Sequence, residues 1–447
     1  MRLFEAPPSA GLATQLADLV VWPSLNLAAH SARFLGVDDA ISACSGTACL
    51  VIALQTLMQI SKRRVVIVPA FTCPLVALAV AHCGLELKIC DLAHERMDFD
   101  EAMLVSLVDD SCLAIIATHL AGRVSNLAPI LAIANATGAH VIEDAATAFG
   151  AKIAGETVGL QGSFGFFSFA VGKGLSTFEG GLLISKIPAL MSRAKAWAVK
   201  NIPLRAGLEM LRAVQLLGLH LCYRPSLLPL CYRWPRLQAT RRGDMLSALD
   251  DRFAGPIPLH TLGAWRQAVG SKAMRRLQAH QLDCERQAQS RIAQLQRWPG
   301  LKVMQDAPSA CGVWPLLWLI LPSESVCSVI FTELWLLPLG VSRLYSQALP
   351  DYPLLDRGVN CDGIAHPEPK TVHAAVPNAR QIAARSLTIS NSLWLSDAHF
   401  ERILAVLAKH LSGPTTAENL TPRVESAIAA TALDQVVAVD PGGSAIA

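Results

Sequence analysis

The run Phe164-Gly165-Phe166-Phe167-Ser168-Phe169-Ala170-Val171-Gly172-Lys173 reads as a buried aromatic strand that ends in a glycine and a lysine. A lysine beside such an apolar run can be stripped of water, which favours the neutral, nucleophilic amine. A lone lysine after a strand is otherwise a surface charge, so Lys173 gains meaning only from its neighbours in the chain. Five further runs share the apolar character: Arg64–Pro69 (RVVIVP), Glu86–Asp91 (ELKICD), Leu113–His119 (LAIIATH), His140–Glu143 (HVIE) and Gly181–Ser185 (GLLIS). Helix-like stretches such as Thr47–Ile60 and Leu127–Thr137 lie between most of them. Near-continuous apolar strands alternating with helices predict an α/β fold, with a mostly parallel sheet covered on both faces.

The chain of 447 residues exceeds a usual single core, so more than one lobe is expected. Residues 1–40 read as a lead-in segment with one or two short helices, and 41–300 as a large domain. Within it, Leu204–Trp234 is strongly apolar but broken by Glu209, Arg212, His220, Arg224 and two prolines between them and the end of the stretch. That is too interrupted for a spanning helix of roughly 20 largely uncharged residues. Ser271–Trp298 reads as one long polar helix. Residues 301–412 read as a smaller α+β domain with WPLLWLILP as a strand and His399–Leu411 as the closing helix. Residues 413–447 lack periodicity and read as a disordered tail.

Hydrophobic residues make up 52% and charged residues 16% of the chain, enough for a large interior with apolar surface left over for a partner subunit or a membrane face. A net charge of +3 without a basic stripe gives no nucleic-acid signal. The twelve cysteines are scattered, with no C-x-x-C pair, so no metal site is expected. They fit a reducing cytoplasm, as does an N-terminus without a charged region followed by an apolar one.

Three further segments give Lys173 its context. Ser45-Gly46-Thr47-Ala48 precedes a helix; it is either an ordinary N-cap or a turn whose backbone N–H groups hold a phosphate. Val141-Ile142-Glu143-Asp144-Ala145-Ala146 places two carboxylates at a strand end, where ligands bind in open α/β sheets. Asp144 reads either as a helix cap or as the partner of a pyridine nitrogen, keeping it protonated so that the ring accepts electrons. Glu179-Gly180-Gly181 opens the next strand with glycines that permit close backbone approach.

Taken in order, S-G-T, P-A-F-T, H-L-A-G, E-D-A-A, F-x-S-F-x-x-x-K and E-G-G resemble the DegT/DnrJ/EryC1/StrS family of sugar aminotransferases, well over residues 25–190 and more loosely in Gly340–Tyr345 and Pro377–Leu395. The resemblance implies the aspartate-aminotransferase fold (PLP fold type I), with a mostly parallel seven-stranded sheet and a smaller C-terminal domain. It implies pyridoxal 5'-phosphate as cofactor and a homodimer. Lys173 matches the lysine that carries the cofactor, and Asp144 the ring-nitrogen carboxylate; these two are the implied catalytic residues. Gly46, Thr47 and Ala48 match the phosphate turn, and Ser168 the phosphate-binding serine. His119 matches a signature whose role is mainly structural. Two cofactor positions depart from the pattern: Thr147 stands where the family often has Gln, and Cys73 where an aromatic usually stacks on the ring. The family's G-x-N-x-R segment is not recognisable, and Leu204–Trp234 lies in its place.

The activity so implied is transfer of an amino group from an amino acid, glutamate in most such enzymes, to a keto acceptor, typically a nucleotide-linked keto-sugar in polysaccharide or secondary-metabolite biosynthesis. Two alternatives stand beside it. One is a sugar dehydratase, whose relatives tend to replace the lysine with histidine. The other is a cofactor-binding scaffold or regulator without turnover. The stretch 204–234 is either a peripheral membrane contact or a helical hairpin against the dimer partner. Arg343 and Tyr345 read as substrate-facing candidates or as a surface turn.

Overall fold

A computed structural model describes residues 11–224, 226–228, 234–242, 257–335, 337, 339–353 and 375–411. The chain opens with α1 (Leu16–Leu19), α2 (Leu27–Leu35), β1 (Ile41–Ala43), α3 (Gly46–Ile60), β2 (Val65–Pro69), α4 (Pro74–His82) and β3 (Glu86–Cys90). It continues through α5 (Glu101–Leu107), β4 (Cys112–Thr118), α6 (Ala128–Thr137), β5 (His140–Asp144), β6 (Lys152–Ile153), β7 (Glu156–Thr157), β8 (Phe164–Ser168) and β9 (Gly181–Ile184). Next come α7 (Pro188–Asn201), α8 (Ala206–Cys222), α9 (Trp234–Arg241), α10 (Ala264–Ala273) and α11 (Leu277–Leu295). The remainder holds β10 (Lys302–Val303), β11 (Ala310–Cys311), β12 (Leu316–Ile320), α12 (Glu324–Trp335), β13 (Val341–Ser342), α13 (Pro377–Arg385), β14 (Ser386–Ser390) and α14 (Asp397–His410).

Seven strands form one sheet in the order β1-β9-β8-β5-β4-β2-β3. Its interior strands are apolar along their whole length because helices cover both faces: every residue of β2 and β4 is buried. Four pairings are parallel, and β9 alone runs antiparallel to its neighbours β1 and β8. The reason is covalent: β8 and β9 are joined directly by the loop that carries Lys173, with no crossover helix between them. The apolar runs foreseen as strands are β2, β3, β4, β5, β8 and β9. The three-residue β1 was too short to stand out.

A second sheet, β10-β12-β14-β13, is antiparallel throughout. Trp318 of β12 is fully buried, donates to Ser386 Oγ at 2.6 Å and stacks on Phe71 of the large sheet's layer with centroids 5.9 Å apart. Asp91, after β3, accepts the Asn378 and Ala379 N–H groups at 2.9 Å each, capping α13. These contacts fasten the small sheet beside the carboxyl ends of the large sheet's strands.

The long polar helix expected over Ser271–Trp298 is instead two helices, α10 and α11, joined by a 3₁₀ turn at Met274–Arg276. The turn brings Arg276 against Asp18 and Ala13 O. The polar reading also missed a buried guanidinium, Arg291, which hydrogen-bonds Asn391 and Leu395 O. Residues 413–447 lie outside the described residues.

Candidate active site

A cavity of about 340 Å³ opens where the carboxyl ends of β4, β5 and β8 meet the N-termini of α3 and α4. That is the expected ligand position for an open α/β sheet, and the volume suits a small molecule. Gly46, Thr47, Cys73, Asp144, Thr147, Ser168 and Lys173 all line it, so residues spread over 128 positions of sequence converge on one space.

The turn before α3 is built by its own sequence. Ser45 is extended and accepts the Ala48 N–H at 3.1 Å as N-cap. Ala48 is fully buried and does not line the cavity; its N–H is already spent on Ser45, which removes it from the expected phosphate turn. Gly46 and Thr47 remain at the positive end of the helix. A Cβ on Gly181 would stand 2.3 Å from Ser45 O, so only glycine lets β9 pass this closely under the turn. Ser168, at the end of β8, puts a second hydroxyl on the same side; it accepts Ala170 N–H at 3.4 Å.

Glu143 and Asp144 are consecutive and have separate jobs. Glu143 accepts the N–H groups of Gly159, Gln161 and Gly162 at 2.7–2.8 Å and faces His119 Nε2 at 3.3 Å. His119 Nδ1 accepts the Ser125 N–H at 3.1 Å, which leaves its proton on Nε2, pointing to Glu143. This pair holds the strand ends together. Asp144 accepts one N–H, from Ala146 at 3.0 Å, and faces the cavity. Burial pushes its carboxyl above the ordinary 3.8; the Ala146 N–H and the positive fields of Lys173 and His119 pull it back. A buried carboxylate in this condition is stabilised by a cationic N–H entering the cavity.

Lys173 sits half-buried in the β8–β9 loop, its N–H on Ala170 O at 3.2 Å. The N-terminal segment clamps that loop: Leu12 N–H donates to Gly174 O at 2.9 Å, and a side chain at Gly11 would collide with Lys173 O. Thr147 lines the cavity, but its hydroxyl is engaged in structure, donating to His119 O at 2.9 Å and accepting Gly122 N–H at 3.1 Å. Cys73 caps α4 just before Pro74 and gives the cavity an apolar, polarisable wall.

Other lining residues escaped the sequence reading. Glu179 belongs to the E-G-G motif but was read only as a turn; it lines the cavity and pairs with Arg212 of α8 at 2.8 Å. Ile257 and Pro258 return from beyond α8, and no local signal marks them. Of the two C-terminal candidates, Tyr345 lines the cavity and stands edge-on to Phe71 at 5.3 Å. Arg343 does not: it donates to Ala383 O and lies over Phe331.

Residues 24–210 match the family model of the DegT/DnrJ/EryC1/StrS aminotransferase family. A GDP-perosamine synthase of Caulobacter vibrioides is 34% identical over 164 residues, 37% of this chain and 44% of that protein. A UDP-N-acetyl-3-dehydro-alpha-D-glucosamine 3-aminotransferase of Acidithiobacillus ferrooxidans is 35% identical over 160 residues, 36% of this chain and 43% of that protein. The matched stretch thus spans less than half of the length of these relatives. Among solved structures, DesI, determined in the presence of its TDP-sugar product, superposes with a TM-score of 0.66 at 18% identity, covering 95% of this chain and 97% of that one. DesV of S. venezuelae gives 0.61 at 20%, covering 86% and 87%. The fold is that of the aspartate-aminotransferase class, PLP fold type I.

Proposed function

We propose that this chain does what the family matched by its residues 24–210 does: it is a pyridoxal-phosphate-dependent aminotransferase, moving an amino group from an amino acid, glutamate, to a nucleotide-linked keto-sugar. The observation that carries the reading is the meeting in one cavity of Lys173, the buried carboxyl of Asp144, and a hydroxyl-lined helix N-terminus at Ser45–Thr47. A lysine, a carboxylate and an anion cradle are the three things this cofactor asks for.

Bound there, pyridoxal phosphate supplies an aldehyde that takes up amines and a ring that accepts the electrons of a deprotonated carbon. Ser45, Thr47 and Ser168, with the positive end of α3, hold the phosphate. Asp144 keeps the ring-nitrogen proton in place, and that N–H in turn relieves the burial penalty on Asp144. Lys173 would hold the aldehyde, and its Nζ, when free, would carry the proton from the donor's Cα to the cofactor's carbonyl carbon, and in the reverse sense for the acceptor. His119 and Glu143 keep the strand ends rigid, so that Asp144 stays in register with the ring. Cys73 and Tyr345 provide apolar walls that limit water.

The dehydratase alternative is disfavoured by Lys173 itself, since a lysine fits reversible proton movement on an amine. The enzyme is a homodimer. The test is to add amino donor alone to cofactor-loaded protein and follow its absorbance. The reading expects the band to move with glutamate alone and return on adding a nucleotide-linked keto-sugar, with parallel-line steady-state kinetics. A requirement for both substrates together before any change would overturn it.

A further inference from the structure

We infer that Glu179 selects the acceptor: its carboxylate takes hydroxyl groups of the incoming keto-sugar and serves that half of the exchange, not the donor half. The inference deepens the reading above and rests on it.

Glu179 and Lys173 are six positions apart and belong to one hairpin, the turn between β8 and β9. Phe169 N–H donates to Gly180 O at 2.8 Å, Thr177 N–H to Phe169 O at 2.9 Å and Val171 N–H to Phe178 O at 3.2 Å. The turn reaches Glu179 through a costly backbone: Phe178 has φ +71°, in the left-handed region that a bulky side chain avoids. Such a conformation persists only where the surroundings enforce it. Here they do. The fully buried Arg266 donates to both Thr177 O and Glu179 O, and Thr177 Oγ1 donates to Glu179 O at 2.8 Å. A Cβ on Gly180 would stand 2.6 Å from Thr177 Oγ1, so the turn closes only over glycine. The side chain is fixed as well. Arg212 Nε stands 2.8 Å from Glu179 Oε2, with both side chains partly exposed, and the guanidinium lies over the Phe178 ring. An ion pair of this kind could merely tie α8 to the turn. That tie already exists, because Arg266 also holds Glu209 of α8.

Charge says what Glu179 recognises. Four charged or ionisable basic and acidic side chains among the described residues line the cavity: Lys173, Asp144, His119 and Glu179. On the reading above, the first two serve the cofactor. Both ring nitrogens of His119 are engaged, by Glu143 and by Ser125 N–H. Glu179 is the one left for a substrate. A carboxylate accepts hydrogen bonds and donates none. Apart from the amine that reacts, glutamate offers it only two further carboxylates, which it repels. A sugar offers hydroxyl groups, and O–H to carboxylate bonds are short and strong. Arg212 balances the charge and keeps the carboxylate in one orientation.

The experiment follows the two half-reactions separately, by absorbance, on cofactor-loaded protein. Glutamate alone drives the first. The second is driven by a nucleoside-diphosphate-linked 4-keto-hexose and by its analogues that each lack one ring hydroxyl. In Glu179→Gln, which keeps the shape and removes the charge, the acceptor half-reaction should slow about ten- to a hundred-fold, the loss of one hydrogen bond to a charged group, with the loss carried in the acceptor's KM. The donor half-reaction should change by far less. Wild type should reject one of the deoxy analogues by a similar factor, and the variant should no longer tell it from the parent sugar. Glu179→Asp, which keeps the charge one methylene short, should fall between the two. Equal slowing of both halves makes Glu179 a structural tie and overturns the inference. So does slowing of the donor half alone, or a variant that still rejects the deoxy analogue. The donor-driven absorbance change reports whether a variant is folded and loaded. Wild type that answers glutamate but accepts none of the keto-sugars overturns the inference and leaves the donor half standing; wild type that does not answer glutamate overturns the transaminase reading itself.

Discussion

α3 and α8 are apolar helices of 15 and 17 residues, and they solve opposite problems. α3 is buried on nearly every side between the sheet, α4 and α7, and exposes to ligand only its polar N-terminal turn at Ser45–Thr47. α8 buries Glu209 beside Leu216 and leaves Met210, Leu211, Val214, Leu217 and Leu221 exposed. Hydrophobic content alone does not tell which way a helix faces. The position of charged partners does: Arg266 draws Glu209 inward and so turns Leu211, Leu217 and Leu221 outward. Ser45 and Thr47 of the α3 turn line the cavity, as does Glu179, which pairs with Arg212 of α8.

The contrast can be broken at several points. Lys173→Ala, on the reactive side, should lower amino transfer by on the order of 10²–10⁴-fold, the range for loss of a positioned acid–base group, read by single-turnover absorbance. The fold should be unaffected, because Lys173 is half-buried in a loop and its one backbone hydrogen bond, to Ala170 O, is kept by alanine.

On the α8 side, Glu209→Ala should act on stability. It leaves Arg266 buried and unpaired, and losing one partner of a buried pair costs about 3–5 kcal/mol, visible as a marked drop in the thermal midpoint. A midpoint within a degree of wild type would mean that α8 is not held by this network and that its outward face is accidental.

Asp144→Asn should separate function from stability in one residue. Amino transfer should fall by about 10²–10³-fold, as when one preorganised electrostatic group is removed. Cofactor-free protein should become more stable by roughly 0.5–2 kcal/mol. The sign follows from the raised carboxyl. A folded value above the unfolded one gives stability that is fully present below the unfolded value and lost as pH rises through the folded value. The advantage of the variant should therefore be absent in acid, grow as pH rises from the ordinary carboxyl value towards the raised one of folded Asp144, and level off above it. Denaturant midpoints measured across pH check this.

Ser168→Ala should have the smallest effect of the four. Loss of one hydrogen bond to a charged phosphate, about 1.5–3 kcal/mol, raises the cofactor's dissociation constant by roughly ten- to a hundred-fold, measured by fluorescence titration. No change would leave phosphate binding to the α3 turn alone.

Much of the large sheet was legible because its strands are short apolar runs and its helices carry caps, such as Ser45 before α3 and Asn26 before α2. The cavity residues Gly46, Thr47, Cys73, Asp144, Thr147, Ser168 and Lys173 could be gathered because motif order places them at strand ends and helix starts. Ala48 misled because a sequence motif does not say whether an N–H is taken by its own cap. The break between α10 and α11 was invisible because nothing in the turn itself, Met-Arg-Arg, forbids helix; its driving contacts are with Asp18 and Ala13, more than 250 residues away. The same holds for α8. Its residues look like a core hairpin or a membrane surface alike, and only Arg266, 57 positions on, fixes which face is outside.

The account turns on Lys173. Borohydride reduction of cofactor-loaded protein fixes the cofactor to whichever lysine holds it, and peptide mass spectrometry then locates the added mass. The account predicts the mass on the peptide containing Lys173 and nowhere else. Its appearance on another lysine, or on none, would contradict it.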